Sequence, residues 1–246
     1  MNKTIHYCWF GSGSLPGKAE KCIKSWKRYL PDHEIVRWDE SNFDVNIIPY
    51  TKQAYEAGKY AFVSDYARYW VLYHYGGLYF DTDVEIIRNI DDILTDGPFM
   101  GCETPYTPDG SDKDAPWVNP GLGLGLDKGD RVAEEILNHY AGMHYVSPDR
   151  KAATENVVSI TTKALIERGL RNSPDIQTIG GIKIYPSDYF CPISTEDGKL
   201  HITPNTRSIH WFDQSWQSPL RKYGRKLLLA LGGVRVKNVI KRILYR

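Results

Sequence analysis

Short apolar runs alternate with helix-period stretches along this chain, the pattern of an open sheet flanked by helices. Ile5 to Phe10 is apolar and aromatic and closes on Gly11-Ser12-Gly13-Ser14, a strand that runs into a loop. Ser14 then offers a helix cap, with Pro16 in the first turn and Ala19, Cys22, Ile23, Trp26 and Leu30 on one face before Pro31-Asp32 ends the helix. Glu34 to Trp38 reads as a second strand, and strand, helix, strand in this order predicts an α/β domain with a parallel sheet. One long helix is predicted over Ala54 to Tyr75, carrying an apolar stripe of Phe62, Tyr66, Tyr69 and Tyr73 up to a glycine stop at Gly76-Gly77. Leu78-Tyr79-Phe80 and Phe99 to Glu103 follow as strands, and Thr104 to Pro120 is a long polar loop of the kind that often serves as a lid. Further helices are expected over Arg131 to Tyr145 and Glu155 to Arg168, and late strands over Ile182 to Tyr185 and Ser208 to Phe212. The Gly121-Leu122-Gly123-Leu124-Gly125 run has the wrong spacing for a dinucleotide fingerprint and marks close backbone packing instead.

Composition bounds the class. With 246 residues, 41% hydrophobic and 25% charged, the chain is a folded globular domain of ordinary balance and needs no disulfide staples. Cys8, Cys22, Cys102 and Cys191 are widely spaced with no CxxC pair, which predicts buried thiols in a reducing compartment rather than a zinc site. The formal charge of +1 conceals an asymmetry: nine basic and no acidic residues follow position 220, leaving 22 basic against 30 acidic before it. An acidic body over residues 1–218 with a basic tail over 219–246 is therefore expected.

The stretch richest in chemistry is Ser64-Asp65-Tyr66-Ala67-Arg68 followed by Gly76-Gly77-Leu78-Tyr79-Phe80-Asp81-Thr82-Asp83. Asp81 and Asp83 are two apart, so on extended backbone both carboxylates project to one side, where a divalent cation relieves their repulsion. Oxygen ligands of this kind suit Mg²⁺ or Mn²⁺, which keep open positions for substrate phosphates. Asp65 and Arg68, at i and i+3, share a helix face and can pair with each other or with a ligand.

Together with Ile5-His6-Tyr7-Cys8-Trp9-Phe10-Gly11 and Ile209-His210-Trp211 with Ser215-Trp216, these motifs resemble glycosyltransferase family 32. This is the DXD sugar-binding-region group that includes yeast initiating mannosyltransferases and bacterial capsule or O-antigen enzymes, and the pattern is similar to the glucosylating domain of clostridial toxins. The resemblance implies a GT-A fold (Rossmann-like, a mixed, mostly parallel sheet flanked by helices), a nucleotide-sugar donor, Mn²⁺ or Mg²⁺, and transfer with retention. It further implies that Trp9 stacks on the nucleotide base, Asp65 holds ribose or sugar hydroxyls, Arg68 lies against the sugar or diphosphate, and Tyr79 lines the donor pocket. Asp81 would meet ribose or the metal, Asp83 would coordinate the metal, and His210 would be a further ligand, with Trp211, Ser215 and Trp216 closing over the diphosphate. Among donors, UDP-galactose is expected first, another UDP-hexose next and a GDP-sugar last.

No carboxylate stands out as a nucleophile, so front-face attack is expected, with Glu103 the alternative candidate acting as nucleophile or on the acceptor. Asn119 is a candidate acceptor-site amide, and the remaining histidines read as core or surface residues. The tail alternates Leu, Val and Ile with Lys and Arg, the pattern of a basic amphipathic segment on an anionic membrane surface, where a lipid-linked glycan acceptor would lie. Folding back on the acidic body, or oligomerisation, is the other use of such a tail. The start of the sequence has no signal-peptide pattern, so the expected location is the cytoplasm, or the inner face of the cytoplasmic membrane. Nucleic acid is not an expected partner, because no nucleic-acid motif accompanies the basic residues. Two rivals remain: a haloacid dehalogenase-type phosphotransferase, disfavoured by Glu85 where that pattern wants Thr or Val, and a non-catalytic carbohydrate- or nucleotide-binding protein on the same fold.

Overall fold

A computed structural model describes residues 1–110, 114–146, 155–194 and 198–213. In chain order the elements are β1 (Thr4–Cys8), α1 (Gly17–Tyr29), β2 (Glu34–Trp38), α2 (Pro49–Glu56), α3 (Tyr60–Tyr75), β3 (Gly77–Tyr79), β4 (Val84–Ile86), α4 (Asp91–Thr95) and β5 (Phe99–Gly101). Then come β6 (Leu124–Leu126), α5 (Arg131–Ala141), α6 (Val157–Glu167), β7 (Gln177–Ile179), β8 (Ile182–Tyr185), α7 (Ser187–Phe190) and β9 (Ser208–His210). Seven strands form one sheet in the order β2-β1-β3-β6-β5-β8-β7, and β4 and β9 form a separate antiparallel pair. The β2-β1-β3 and β5-β8 junctions are parallel, whereas β6 lies antiparallel between β3 and β5, and β7 lies antiparallel on β8. This is the Rossmann-like mixed sheet expected from the sequence.

Strand alternation divides the core between the two sheet faces. Cys8, Tyr79, Met100, Ile182 and Ile184 point into one apolar cluster with the buried stripes of α2, α3, α5 and α6. Ile5, Tyr7, Leu78, Phe99 and Tyr185 point into the other, with Trp26 of α1, Ile93 of α4 and Phe190 of α7. The first crossover helix, α1, and the second, α3, thus cover opposite faces. Their divergence makes the carboxyl ends of β1 and β3 a topological switch point, the crevice where open α/β sheets bind ligands.

Four expectations are corrected. The single helix over Ala54 to Tyr75 is two, because Gly58 takes a left-handed φ of 66° between α2 and α3. Ser14 does not cap α1; Pro16 occupies the N-cap without a side-chain hydrogen bond. Asp81 and Asp83 are not on extended backbone but in the turn between β3 and β4, closed by Val84 N–H donating to the Asp81 carbonyl at 3.0 Å. The helix expected to reach Tyr145 ends at Ala141. All four cysteines are buried free thiols, as expected. The 219–246 tail and the boundary before it lie outside the described residues.

Candidate functional site

The turn at Gly76-Gly77 sets the geometry of the site. Gly76 and Gly77 have φ of 68° and 102°, and α3 doubles back through them into β3. From Gly76 back to Arg68 the helix rises about 12 Å, and four extended residues from Gly77 to Asp81 span about 13 Å. Arg68 and Asp81 therefore arrive at the same level. The Arg68 guanidinium lies 3.0 Å from Asp65 Oδ1 and 3.3 Å from Asp81 Oδ1, donates to the Ser64 carbonyl, and sits 5.0 Å from the centre of the Tyr79 ring. Tyr79 O–H donates to Asp81 Oδ1 at 3.1 Å. Arg68 is only 4% exposed and Asp65 9%, and this buried arrangement holds Asp81. Tyr79, also buried, does the same from within the sheet.

Burial raises the Asp65 carboxyl to about 6 despite Arg68, with Asp81 adding to the rise and the Val157 N–H of α6 opposing it. For Arg68, burial acts against the charge, yet Asp81, Tyr79 and Asp65 outweigh it and keep the guanidinium firmly protonated.

The second carboxylate is held from the far end of the chain. In the β4–β9 pair Val84 faces His210, which places the imidazole Nε2 at 3.1 Å from Asp83 Oδ1 and 4.0 Å from Asp81 Oδ2. Trp211 N–H donates to the Asp83 carbonyl at 3.0 Å, and Asp213 N–H to Asp83 Oδ2 at 2.8 Å. Burial disfavours charge on both partners, but each charge supports the other: His210 is raised by Asp83 and Asp81, and Asp83 is lowered by His210 and by the Asp213 N–H. Phe212 follows with a φ of 49°, uncommon for a bulky residue, and meets the His210 ring edge-on at 4.2 Å.

One ligand atom from each of Asp81, Asp83 and His210 lies within 4.8 Å of the others, a separation that one cation can bridge. Two carboxylates and an imidazole fit a divalent ion in donor chemistry, the imidazole nitrogen favouring Mn²⁺ over the oxygen-seeking Mg²⁺. His210 Nδ1 is buried with no partner among the described residues, so the second hydrogen bond that usually orients a ligating histidine is lacking.

The other expected residues lie around this cluster. Trp9 follows β1 at the same sheet end, partly exposed, with its indole N–H on the Gly13 carbonyl at 2.8 Å. The loop after it is fixed by Gly11 N–H on Glu40, and a Cβ at Gly11 would overlap the Tyr60 ring. Trp211 is 42% exposed, its indole N–H on Glu85 at 2.9 Å. Ser215 and Trp216 lie outside the described residues.

Glu103, just past β5, takes the Asn119 amide on Oε2 at 2.7 Å. Asn119 Oδ1 in turn accepts Gly121 N–H at 2.7 Å, so this buried amide is engaged at both ends inside the protein rather than offered to an acceptor. Gly121 is where close packing was expected: a Cβ there would overlap the Asp81 carboxylate. Sequence reasoning did not find Asp213, whose carboxylate also pairs with Lys18 at 2.7 Å, because no motif surrounds it. A cavity of about 400 Å³ near Lys3, His33 and Asp91 lies at the opposite end of β1 and contains none of these residues.

Residues 16–100 match the model of a family described as the glycosyltransferase sugar-binding region containing the DXD motif. The match contains Asp65, Arg68, Asp81 and Asp83 and stops before Glu103 and His210. Two curated relatives, both from Schizosaccharomyces pombe, are inositol phosphoceramide mannosyltransferase 3 (36% identical over 96 residues) and inositol phosphoceramide mannosyltransferase 1 (28% over 109). The matches cover 37% and 40% of this chain but only 27% and 33% of those proteins. Among solved structures, the chain is similar to the PaToxG glycosyltransferase, at 19% identity and a TM-score of 0.48 over 68% of this chain and 69% of the other. It is also similar to the galactosyltransferase LgtC bound to donor and acceptor sugar analogues, at 15% identity and a TM-score of 0.45 over 90% and 92%. Among the described residues, no helix is long and apolar enough to cross a membrane.

Proposed function

We propose that the chain is a metal-dependent glycosyltransferase that moves a hexose from a nucleotide sugar to a glycan acceptor with retention of configuration. The observation that carries this reading is the Asp81, Asp83 and His210 cluster at the switch point of the sheet, backed by the buried Arg68–Asp65 pair. Asp81, Asp83 and His210 would hold Mn²⁺ or Mg²⁺. When bound, the cation supplies positive charge where the leaving diphosphate becomes more negative.

The chain's own residues do the rest. Arg68 and Tyr79 fix Asp81 through its Oδ1 atom, and the Asp213 N–H fixes Asp83, so the carboxylates are pre-oriented rather than ordered at each turnover. Trp9 offers a planar, partly exposed indole to the base. The acceptor hydroxyl oxygen forms the new bond to the anomeric carbon as the bond to the phosphate oxygen breaks, and that departing oxygen takes the hydroxyl proton. Attack comes from the face the diphosphate leaves. Glu103, tied by Asn119, lies on the acceptor side of this reaction.

A UDP-hexose is the proposed donor. The names of the two fission-yeast relatives favour a second reading, a mannosyl donor, which a GDP-sugar would supply. The basic tail would place the enzyme on the inner face of an anionic membrane, presenting it to a lipid-linked glycan acceptor in surface-polysaccharide synthesis. Sedimentation with phosphatidylglycerol vesicles, with and without residues 219–246, tests that placement.

The decisive experiment is calorimetric titration with UDP and with GDP, each with and without Mn²⁺, on wild type and Asp83→Asn. Metal-dependent binding of one nucleotide, lost in the variant, is the expected result and identifies the donor class. Binding of neither nucleotide with any metal would overturn the transferase reading in favour of a non-catalytic binding protein.

A further inference from the structure

An antiparallel bridge just past β5 carries a surface outside the Asp81, Asp83 and His210 cluster. Cys102 pairs with Val118, Glu103 N–H donates to the Trp117 carbonyl at 2.6 Å, and Asn119 N–H to the Gly101 carbonyl at 3.1 Å. In this register Glu103 stands opposite Trp117. Alternation then places Trp117, Glu103 and Asn119 on the face away from Cys102 and Val118. Burial separates Val118 at 0% and Cys102 at 4% from Trp117 at 51% exposure, while Asn119, at 7%, is covered beside Glu103.

The backbone beneath the indole is pinned. Trp117 N–H donates to Thr104 Oγ1 and Val118 N–H to Thr162 Oγ1, both at 2.9 Å. Half of a large apolar ring is thus held in water by a fixed main chain, where it adds little to the core. Beside it, Asn119 fixes Glu103 Oε2 and accepts Gly121 N–H, and the Gly121 carbonyl accepts Asp81 N–H at 3.0 Å. One hydrogen-bonded path joins the Trp117–Glu103 pair to the first carboxylate of the cluster.

Resting on the transferase reading above, we propose that Trp117 and Glu103 form the acceptor subsite, the indole carrying the C–H face of a neutral pyranose and the carboxylate accepting its hydroxyls. A flat apolar face beside a carboxylate is the chemistry that recognises a neutral sugar, and Glu103 together with the acidic cluster repels an anionic one. Asn119 is a positioning residue that aims Glu103 and ties the subsite to Asp81.

The test is ¹⁹F spectroscopy of the full chain labelled with 5-fluorotryptophan, the Trp117 signal being identified by its loss in Trp117→Phe. Methyl glycosides of galactose, glucose and mannose, and lactose, are titrated in the presence of Mn²⁺ with UDP and, separately, with GDP. The Trp117 signal is expected to shift with at least one sugar, and Glu103→Gln to weaken that sugar about tenfold or more while nucleotide binding stays unchanged. A Trp117 signal unmoved by every sugar, while a nucleotide still perturbs other signals, overturns the subsite and leaves the donor reading standing. No response of any signal to either nucleotide, with Trp117 still responding to sugar, overturns the donor reading instead.

Discussion

The β2-β1-β3 side of the sheet and the β6-β5-β8 side are built on different principles. On the first, the chemistry is local in sequence: Asp65, Arg68, Tyr79, Asp81 and Asp83 fall within one helix, one strand and one turn, and the family match covers all of them. On the second, the groups are single residues on irregular chain, Glu103, Trp117, Asn119 and Gly121, joined by a mixture of side-chain and main-chain hydrogen bonds. The first side holds ionised groups in buried pairs, and the second holds a half-exposed ring and one carboxylate. On the proposed reading, the donor would be met by the contiguous motif, while the acceptor would be met by a surface assembled from turns.

Five experiments break or sharpen this contrast. Asp83→Asn removes the carboxylate that His210 and the Asp213 N–H converge on. It is expected to lower transfer by about 10³-fold, with metal-dependent nucleotide binding lost by calorimetry and the circular dichroism spectrum unchanged. If donor binding survives, the chemistry does not reside on the first side.

Arg68→Met leaves Asp65 and Asp81 without their shared partner. Urea unfolding is expected to show a loss of about 3–5 kcal/mol, and Asp65→Asn added to it should recover part of that loss. An effect below 1 kcal/mol would mean that the buried pair is not structural.

A pH titration of stability reports on β1 itself. His6 accepts the Trp38 indole N–H at Nδ1 and donates from Nε2 to the Gly76 carbonyl, and burial lowers its pKa from 6.5 to about 4. Between those values the unfolded chain binds the proton that the folded chain refuses. The contribution is therefore fully present above pH 6.5 and shrinks as the pH falls to 4, by about 3 kcal/mol in all. His6→Gln should flatten the urea midpoint against pH in this window, and an unchanged slope would assign the acid sensitivity elsewhere.

Gly121→Ala inserts a methyl group where the Asp81 carboxylate already stands. A stability loss of about 1–3 kcal/mol is expected, together with weaker nucleotide binding, because this glycine is the seam between the two sides. Trp117→Ala should have the smallest effect: an acceptor KM raised about tenfold, with kcat, nucleotide binding and thermal midpoint near wild type.

Legibility in the sequence follows the same division. The strands at Glu34–Trp38 and Ile182–Tyr185 were found to the residue because each is a continuous β-rich run ended by an unmistakable breaker, and the Asp65–Arg68 pairing follows from helix geometry alone. α2 and α3 merged because both send apolar side chains, Ala54 on one and Val63 and Ala67 on the other, into the same core, and a single left-handed glycine between them is too short an interruption to read as a break. β4 went unseen because its three residues are strand only by pairing with β9 far along the chain, a partner that no local window contains. The same lack of local signal hid Trp117 and Asp213. Ring exposure and a main-chain N–H aimed at a carboxylate are properties of the folded surface, not of the letters around them.

The β4–β9 pair also orders events in time. Asp81 and Asp83 leave the ribosome early, whereas His210 and the strand that closes on β4 follow only after the whole sheet has been synthesised. At about 5–20 residues per second, the carboxylates spend several seconds without the imidazole that completes their set. A chain stopped short of residue 208 would carry the acidic motif and most of the core, yet could not form the three-residue site. Premature termination before β9 therefore leaves Asp81 and Asp83 without His210, and synthesis through residue 210 is what completes the three-residue cluster.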